Sequence, residues 1–200
     1  MTRAALATLA LMALLVVPAH ADKQVAIFAG GCFWCVESDF DHVPGVLSTT
    51  SGYIGGTTQN PTYYDHTAAG HREAVRVEFD NARVSYEELV SYFFHSVDPT
   101  DASGQFCDRG HSYTTAIYTL GDDELAVATK GKAAAEKELK KPIVTEIAAA
   151  PEFWPAEDYH QDYYKKNPLR YEYYRHGCGR DARVEALWGA NARKSTVKGS

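Results

Sequence analysis

Hydrophobic and polar residues alternate most clearly over 72–80, where Val75, Val77 and Phe79 share one parity and polar residues the other. An alternation with period two predicts a half-buried strand. Short apolar runs predict further strands at 25–29, 46–53, 114–120 and 143–147. The chain therefore contains enough strand pattern for a sheet.

Helical spacing occurs between these strands at irregular intervals. Ser85 followed by Glu88 is a capping box, which predicts a helix running to His95. The other helical patterns lie at 33–43, 122–139, 159–166 and 181–188. Because strands and helices mix without regular alternation, the pattern favours a two-layer α+β domain over a doubly wound sheet.

The first segment of the chain has the pattern of a secretory signal. Arg3 precedes an apolar run over 4–17, and the segment ends in the small-x-small triplet at 19–21. The run is shorter than the roughly 20 residues that cross a bilayer, and no stop-transfer cations follow it. We therefore expect a signal peptide at 1–21 and export to the periplasm or out of the cell, with no membrane attachment after the signal is removed.

The rest of the 200-residue chain is long enough for one substantial core and short for two. We expect a single catalytic domain over 22–200, with a polar tail after about 189. The formal charge of -6 and the pI near 5.7 argue against nucleic acid, which requires basic surfaces. The expected partner is a protein or a small molecule, and we expect a monomer.

Four cysteines in an exported chain can be two structural disulfides, but a domain of this size does not need them. Cys32 follows Gly30 and Gly31, where a predicted strand ends and a predicted helix begins. Free amides and the positive end of the helix dipole favour a thiolate there. Cys32 is therefore the candidate nucleophile, and a buried structural cysteine is the alternative.

Glu73 shares the parity of the apolar residues in the strand predicted at 72–80. A carboxyl group on a buried face loses solvation, so its pKa should rise and it can stay protonated near neutrality. Glu73 is therefore a candidate general acid. The alternative is a residue at a strand end that reaches water.

Six short blocks follow one another along nearly the whole chain after the expected signal peptide. They are Gly31-Cys32-Phe33-Trp34, Asn60-Pro61-Thr62-Tyr63, Gly70-His71-Arg72-Glu73-Ala74-Val75, Asp98-Pro99-Thr100, Asp108-Arg109-Gly110 leading to Tyr113, and Phe153-Trp154-Pro155-Ala156-Glu157-Asp158-Tyr159-His160-Gln161. Together they resemble the methionine sulfoxide reductase A family. The resemblance implies an α+β two-layer sandwich with a mixed sheet, long coiled segments and a ferredoxin-like core.

The resemblance also implies roles for individual residues. Cys32 attacks the sulfoxide sulfur, Glu73 protonates the sulfoxide oxygen, and the hydroxyls of Tyr63 and Tyr113 hold that oxygen. The implied substrate-binding residues are Phe33, Trp34, Asp108 and His160. These residue types suit the chemistry, since sulfoxide oxygen leaves poorly until it is protonated. The implied substrate is the S epimer of methionine sulfoxide, free or in a protein, and no bound cofactor is expected.

Product release would leave a sulfenic acid on Cys32, which a second thiol converts to a disulfide. The resemblance implies that thioredoxin or a similar protein then reduces it. The chain departs from the common family pattern at Cys35, Cys107 and Cys178, so the resolving thiol stays open. Cys178, between two glycines, ranks first, Cys107 beside Asp108 ranks second, and Cys35 ranks third.

Two other functions are compatible with the cysteines. A thiol-disulfide oxidoreductase would use Cys32 and Cys35, but the Phe-Trp pair between them lacks the proline common in such motifs. A metal-binding or structural protein would combine cysteines with some of the eight histidines, yet no compact Cys/His spacing is present. We therefore expect no metal site.

Overall fold

The computed structural model describes residues 22–194, and the signal peptide expected at 1–21 lies outside the described residues. The strands are β1 (Lys23–Ala29), β2 (Val46–Ile54), β3 (Arg72–Asp80), β4 (Gly104–Gln105), β5 (Asp108–Arg109), β6 (Ala116–Thr119), β7 (Glu146–Ala149) and β8 (Phe153–Pro155). The helices are α1 (Phe33–Asp41), α2 (Tyr86–Phe94), α3 (Asp122–Leu139), α4 (Tyr163–Lys166), α5 (Pro168–Gly177) and α6 (Arg180–Trp188). None of the helices within 22–194 is both long and apolar enough to span a bilayer.

Six strands form one mixed sheet in the order β7-β6-β1-β3-β2-β8. Neighbouring strands run antiparallel, except that β6 and β7 run parallel. Strands β4 and β5 pair separately as a short ribbon. A mixed sheet packed with helices is an α+β fold, as the sequence predicts.

The sheet presents one face to helices α1 and α2. The strand residues of the apolar cluster on that face are Ala26, Phe28, Tyr53, Val75, Val77, Phe79 and Ile117. Phe28 stacks between Phe40 of α1 and Phe93 of α2, with ring centroids 4.8 and 5.1 Å apart. Each such buried ring contributes about 1.5–3 kcal/mol. The alternation predicted for 72–80 is confirmed. Val75, Val77 and Phe79 belong to this cluster, whereas Ala74, which has the opposite parity, belongs to a second, smaller cluster.

Helix α2 begins where the capping box predicts. Ser85 Oγ accepts the amide of Glu88 at 3.2 Å, and the Glu88 carboxylate accepts the amide of Ser85 at 2.8 Å. The two bonds satisfy amides that a helix start leaves unpaired. The helix ends at Phe94, with His95 as its C-cap, which agrees with the predicted end within one residue.

The strand predicted at 143–147 is displaced along the chain. The amide of Ile143 donates to the Glu136 carboxylate, and the amide of Val144 donates to the carbonyl of Pro99. Pairing with β6 starts only at Glu146, opposite Ala116. These hydrogen bonds occupy the first amides of the apolar run. The strand therefore begins later in the chain than predicted.

Part of the polar tail packs on the domain. After a 3-10 turn at Gly189–Asn191, the amide of Arg193 donates to the carbonyl of His95 at 2.8 Å. The Arg193 guanidinium forms an ion pair with Asp181 of α6. These contacts hold the chain against α2 and α6 through residue 193.

Candidate active site

Cys32 lies at the start of α1, directly after a tight turn. Gly31 has φ +87°, and a Cβ there would lie 2.6 Å from Cβ of Gln105. A side chain at this position would therefore be both strained and obstructed. The carbonyl of Cys32 accepts the amides of Cys35 and Val36, which begins the helix and leaves the Cys32 side chain buried at its N-terminus.

Glu73 joins β3 to the first turn of α1. Its Oε2 accepts the amide of Phe33 at 2.9 Å, one of the amides that a helix start leaves free. Glu73 is buried, and burial raises its pKa to about 8, while the bond from Phe33 opposes the rise. The rise expected from strand parity is confirmed, and the protonated acid is the main form at pH 7.

One small cavity, of about 60 Å³, brings most of the candidate residues together. Its walls are Cys32, Phe33, Trp34, Tyr63, Glu73, Asp108, Tyr113 and Tyr174. The cavity has room for only a few water-sized groups. A nucleophile, a buried acid, hydroxyl donors and apolar walls therefore face the same confined space.

The two expected oxygen-binding tyrosines come from loop segments. Tyr113 ends a 3-10 turn at His111–Tyr113, and Tyr63 is fixed by a bond from its amide to the Glu157 carboxylate at 2.9 Å. Burial, followed by the nearby Glu73, raises the pKa of both hydroxyls. Both tyrosines therefore remain protonated hydrogen-bond donors at neutral pH.

His160, expected among the substrate-binding residues, does not line this cavity. It lies behind the wall, where its Nδ1 accepts the indole N–H of Trp34 at 3.0 Å and its ring packs 5.0 Å from that of Phe33. Burial lowers the pKa of His160, which keeps the accepting nitrogen unprotonated. The contacts assign His160 to orienting Trp34.

Tyr174 is a cavity residue that the sequence analysis did not select. Its hydroxyl donates to the Asp108 carboxylate in a short hydrogen bond, and it also reaches Cys32, whose pKa it lowers. The tyrosine-rich stretch around it is visible in the sequence, but α5 was not predicted. Without that helix, no spacing distinguishes Tyr174 from its neighbours.

The pKa of Cys32 departs from the sequence expectation. Burial raises it well above the ordinary thiol value, and the neighbouring Cys35 and Glu73 add to the rise. The thiol pKa of Cys35 is lowered instead, first by a hydrogen bond with Cys32 and then by Arg180 and Arg175. Burial therefore opposes the thiolate that the helix start was expected to favour at Cys32.

Cys107 and Cys178 form a disulfide across 71 residues, with Cα atoms 4.9 Å apart, while Cys32 and Cys35 are buried free thiols. Cys107 precedes the cavity residue Asp108, and Cys178 follows α5, which carries Tyr174. The two resolving cysteines ranked first and second, Cys178 and Cys107, therefore lie beside the cavity. They are bonded to each other in this structure and not to Cys32.

Arg180 connects the segment of Cys178 to the turn before Cys32. Its buried guanidinium donates to the carbonyls of Gly30 and Ser96, both at 3.1 Å, and lies 4.8 Å from the ring centre of Phe106. These contacts fix the position of the Cys107–Cys178 disulfide relative to the turn before Cys32.

Among residues 22–194, one group has a metal-ligand arrangement: Cys107, Asp108 and Cys178, whose ligand atoms lie within 4.8 Å of one another. The two sulfurs share a covalent bond in this structure. A disulfide sulfur is a poor metal ligand, because thiolate is the form that binds. With the disulfide formed, this group offers a metal ion a single good ligand, the Asp108 carboxylate.

Comparison with known proteins assigns the family. The family profile described as "Peptide methionine sulfoxide reductase" matches residues 24–192. The chain is 62% identical over 179 residues to peptide methionine sulfoxide reductase MsrA 2 of Rhizobium meliloti, covering 89% of this chain and 90% of that protein. It is 49% identical over 172 residues to MsrA of Bacillus subtilis, covering 84% and 97%. Its fold is similar to methionine sulfoxide reductase A of Corynebacterium diphtheriae, with a TM-score of 0.69, 34% identity, and coverage of 76% and 79%. These matches confirm the resemblance carried by the six blocks, and the chain belongs to the peptide methionine sulfoxide reductase family.

Proposed function

We propose that this chain reduces the S epimer of methionine sulfoxide, free or within a polypeptide, to methionine, with Cys32 as the nucleophile. One observation carries the proposal: Cys32 and the protonated, buried Glu73 face the same cavity of about 60 Å³. A nucleophile and an acid in one confined space suit a reaction that attacks sulfur and protonates oxygen together. The family assignment supports the same activity.

The first step requires Cys32 to lose its proton. The hydroxyl of Tyr174 favours that loss, because it lowers the pKa of the Cys32 thiol. The Cys32 sulfur then attacks the sulfoxide sulfur while Glu73 transfers its proton to the oxygen. The sulfur–oxygen bond of the substrate breaks, the oxygen passes as a hydroxyl group to the Cys32 sulfur, and methionine leaves, so the sulfoxide is reduced and Cys32 is oxidised to a sulfenic acid. The carboxylate left on Glu73 is reprotonated before the next cycle.

The remaining cavity residues bind the substrate. The protonated hydroxyls of Tyr63 and Tyr113 donate hydrogen bonds to the oxygen as charge develops on it. Phe33 and Trp34 supply the apolar wall for the substrate methyl group. Asp108, held by Tyr174, completes the polar side of the cavity.

Recycling begins when a thiol attacks the sulfenic acid and releases water, which leaves a disulfide on Cys32. We assign this attack first to Cys178, with Cys107 as the second candidate. The remaining thiol of that pair then attacks and forms the Cys107–Cys178 disulfide, which frees Cys32. Cys107 is exposed, so a thioredoxin-like dithiol can reach this final disulfide. The proposal needs no bound cofactor.

The test compares the S and R epimers of N-acetyl-methionine sulfoxide with dithiothreitol as reductant. We expect reduction of the S epimer alone, and loss of that activity in Cys32→Ser. Equal rates on both epimers contradict the proposed stereochemistry. Full activity in Cys32→Ser contradicts the proposed nucleophile.

The thiol-disulfide oxidoreductase remains the second candidate, favoured by two buried free thiols, Cys32 and Cys35, at the start of one helix. Reduction of insulin disulfides separates the two functions. A thiol-disulfide oxidoreductase would lose insulin reduction in Cys35→Ser and would show no activity on the sulfoxide. A sulfoxide reductase would reduce the sulfoxide and would show little reduction of insulin disulfides.

We also propose a two-layer sandwich with a ferredoxin-like core. Apart from the separate β4–β5 ribbon and the 3-10 turn that lie between α2 and β6, the chain order is β1, α1, β2, β3, α2 and β6, and the strand order β6-β1-β3-β2 supports this arrangement. Both helices share one apolar cluster with the sheet, which supports two layers.

Export follows from the expected signal peptide at 1–21 and is likewise a proposal, as are the single domain over 22–200 and the monomeric state. N-terminal sequencing of the protein from cell fractions should give a chain that starts at Asp22 in the periplasmic or secreted fraction. Full-length protein in the cytoplasm would contradict export. Light scattering of the mature chain tests the monomer.

A further inference from the structure

Three tyrosines, Tyr63, Tyr64 and Tyr159, lie beside the cavity, and we name them the tyrosine rim. Tyr63 lines the cavity, and the ring of Tyr64 meets it edge-on, with centroids 6.2 Å apart. Tyr63 and Tyr159 both pack on the ring of His160, at 4.6 and 4.3 Å. The rim therefore extends from the cavity wall to the outer surface through Tyr64, and Tyr159 is connected to it through the ring of His160.

The outer rings of the rim are not explained by packing. Tyr64 is 91% exposed and Tyr159 is 52% exposed, so each leaves a large part of its ring in water. Contiguous exposed aromatic surface is typical of interaction sites, where tyrosine is enriched among the residues that contribute most to binding. Exposure on this scale beside a catalytic cavity points to a ligand that extends out of it.

The turn that carries the rim is already ordered. The amide and the hydroxyl of Thr62 both donate to Oδ1 of Asp65, at 2.6 and 3.0 Å. The amide of Tyr63 donates to the Glu157 carboxylate at 2.9 Å, and Nδ1 of His66 is bonded to the Tyr63 carbonyl at 2.9 Å. A surface held in this way loses little conformational freedom on binding, so contacts with Tyr64 contribute directly to affinity.

The size of the cavity decides what the rim contacts. A cavity of about 60 Å³ holds the oxidised end of one side chain, and the rest of the substrate must lie outside it. In an extended chain the next residue lies about 3.3–3.4 Å further along, within reach of rings that start at the cavity wall. The carboxyl groups of Asp65, Glu157 and Asp158 lie in the segments that carry the rim, which disfavours an acidic neighbour.

We infer that Tyr64 and Tyr159 are specificity-determining residues that bind an aromatic or branched aliphatic residue next to methionine sulfoxide in an extended polypeptide. The inference rests on the proposed function and concerns only the part of the substrate outside the cavity. Free methionine sulfoxide has no such neighbour, so it gains nothing from the rim.

The experiment measures kcat/KM with dithiothreitol on three substrates: N-acetyl-methionine sulfoxide, a pentapeptide with leucine beside the sulfoxide, and the same peptide with glutamate there. The variants are Tyr64→Ala, Tyr159→Ala and, as a matched control, Tyr173→Ala, which removes a tyrosine that is 85% exposed on α5. We expect Tyr64→Ala to lower kcat/KM on the leucine peptide about tenfold, mostly through KM, and to leave the free sulfoxide unchanged. Tyr64→Phe should restore most of the loss, because the ring makes the contact.

Other results overturn the inference. An equal loss on the free sulfoxide means that the rim only supports the cavity, and no loss on the leucine peptide means that the rim binds nothing. A loss that appears only when thioredoxin replaces dithiothreitol assigns the rim to the reductant. Inactivity of the unaltered protein on all three substrates contradicts the proposed function and is thus distinct from failure of the rim. Binding of the labelled leucine peptide to Cys32→Ser, with and without Tyr64→Ala, tests the contact independently of turnover.

Discussion

The two halves of the cavity are built in different ways. Cys32 and Glu73 stand on α1 and β3, which pack into the main apolar core and are joined by a hydrogen bond between Glu73 and the Phe33 amide. Asp108 and Tyr174 come from a two-residue strand and from α5, beside the Cys107–Cys178 disulfide. Under the proposed mechanism the two halves have different tasks: the half fixed by the core performs the chemistry, and the half beside the disulfide completes the polar wall and carries the cysteines that recycle the nucleophile.

The largest effect is expected at the centre of the first half. Cys32→Ser should reduce sulfoxide reduction by at least about a thousandfold, because serine supplies no comparable nucleophile near neutral pH. The near-ultraviolet circular dichroism should stay unchanged, since the two side chains have similar size. Substantial residual turnover in a folded variant would show that the division of the cavity is wrong.

A change in the second half should spare the chemistry and stop recycling. Cys178→Ser should produce about one equivalent of methionine in a single turnover but lose turnover driven by thioredoxin, since attack by Cys32 precedes the resolving step. Cys107→Ser is the matched variant. If Cys178→Ser cycles normally and Cys107→Ser stops after one equivalent, Cys107 is the resolving thiol and our ranking is wrong.

Glu73→Gln changes a residue of the first half of the cavity and should lower the activity less than loss of Cys32 does. The amide keeps the shape of the side chain but has no transferable proton, so kcat should fall about a hundredfold while KM changes little. Steady-state kinetics on N-acetyl-methionine sulfoxide measures both. A rate close to that of the unaltered enzyme across pH would make Glu73 a passive strand residue.

The same substitution should change the pH dependence of stability. The folded-state pKa of Glu73, about 8, lies above its ordinary value of 4.5, so ionisation disfavours the folded state and stability falls as pH rises between these values. Glu73→Gln removes this effect and should gain on the order of a few kcal/mol relative to the unaltered protein at pH 9. Denaturant unfolding at pH 5 and pH 9 measures the difference. An equal stability difference at both pH values would contradict the raised pKa.

The first half was largely predictable from the sequence, because its signals are local. Strand parity placed Glu73 on the buried face, and Gly30-Gly31 before Cys32 indicated a turn between strand and helix. The structure places both where the pattern predicts. The pKa of Cys32 was not predictable in the same way, since it depends on the depth of burial and on the neighbouring Cys35.

The second half depends on contacts between distant segments, which periodicity does not report. Strand β5, which carries Asp108, has only two residues, too few to show a period of two. The disulfide joins cysteines 71 residues apart, and nothing local to Cys107 indicates its partner. Tyr174 bonds to Asp108 across 66 residues, so its place in the cavity required the tertiary structure.

The smallest expected effect is that of a substitution at Tyr174, which interacts with residues of both halves of the cavity. The Tyr174 hydroxyl donates its one proton to Asp108 in the short hydrogen bond. The same hydroxyl also interacts with Cys32 and lowers the pKa of that thiol. One O–H donates to one acceptor at a time, so ionisation of Cys32 should draw the hydroxyl away from Asp108. Tyr174→Phe should therefore raise the pKa of Cys32 further, because the thiolate loses a hydrogen bond, and Asp108 limits the rise because it competes for the same proton. The measurement is the rate of iodoacetamide alkylation against pH, resolved by mass spectrometry for Cys32 and Cys35 separately, with Tyr173→Phe as the control. An unchanged Cys32 profile would mean that Tyr174 serves Asp108 alone, and the two halves would then be coupled only through the cysteines.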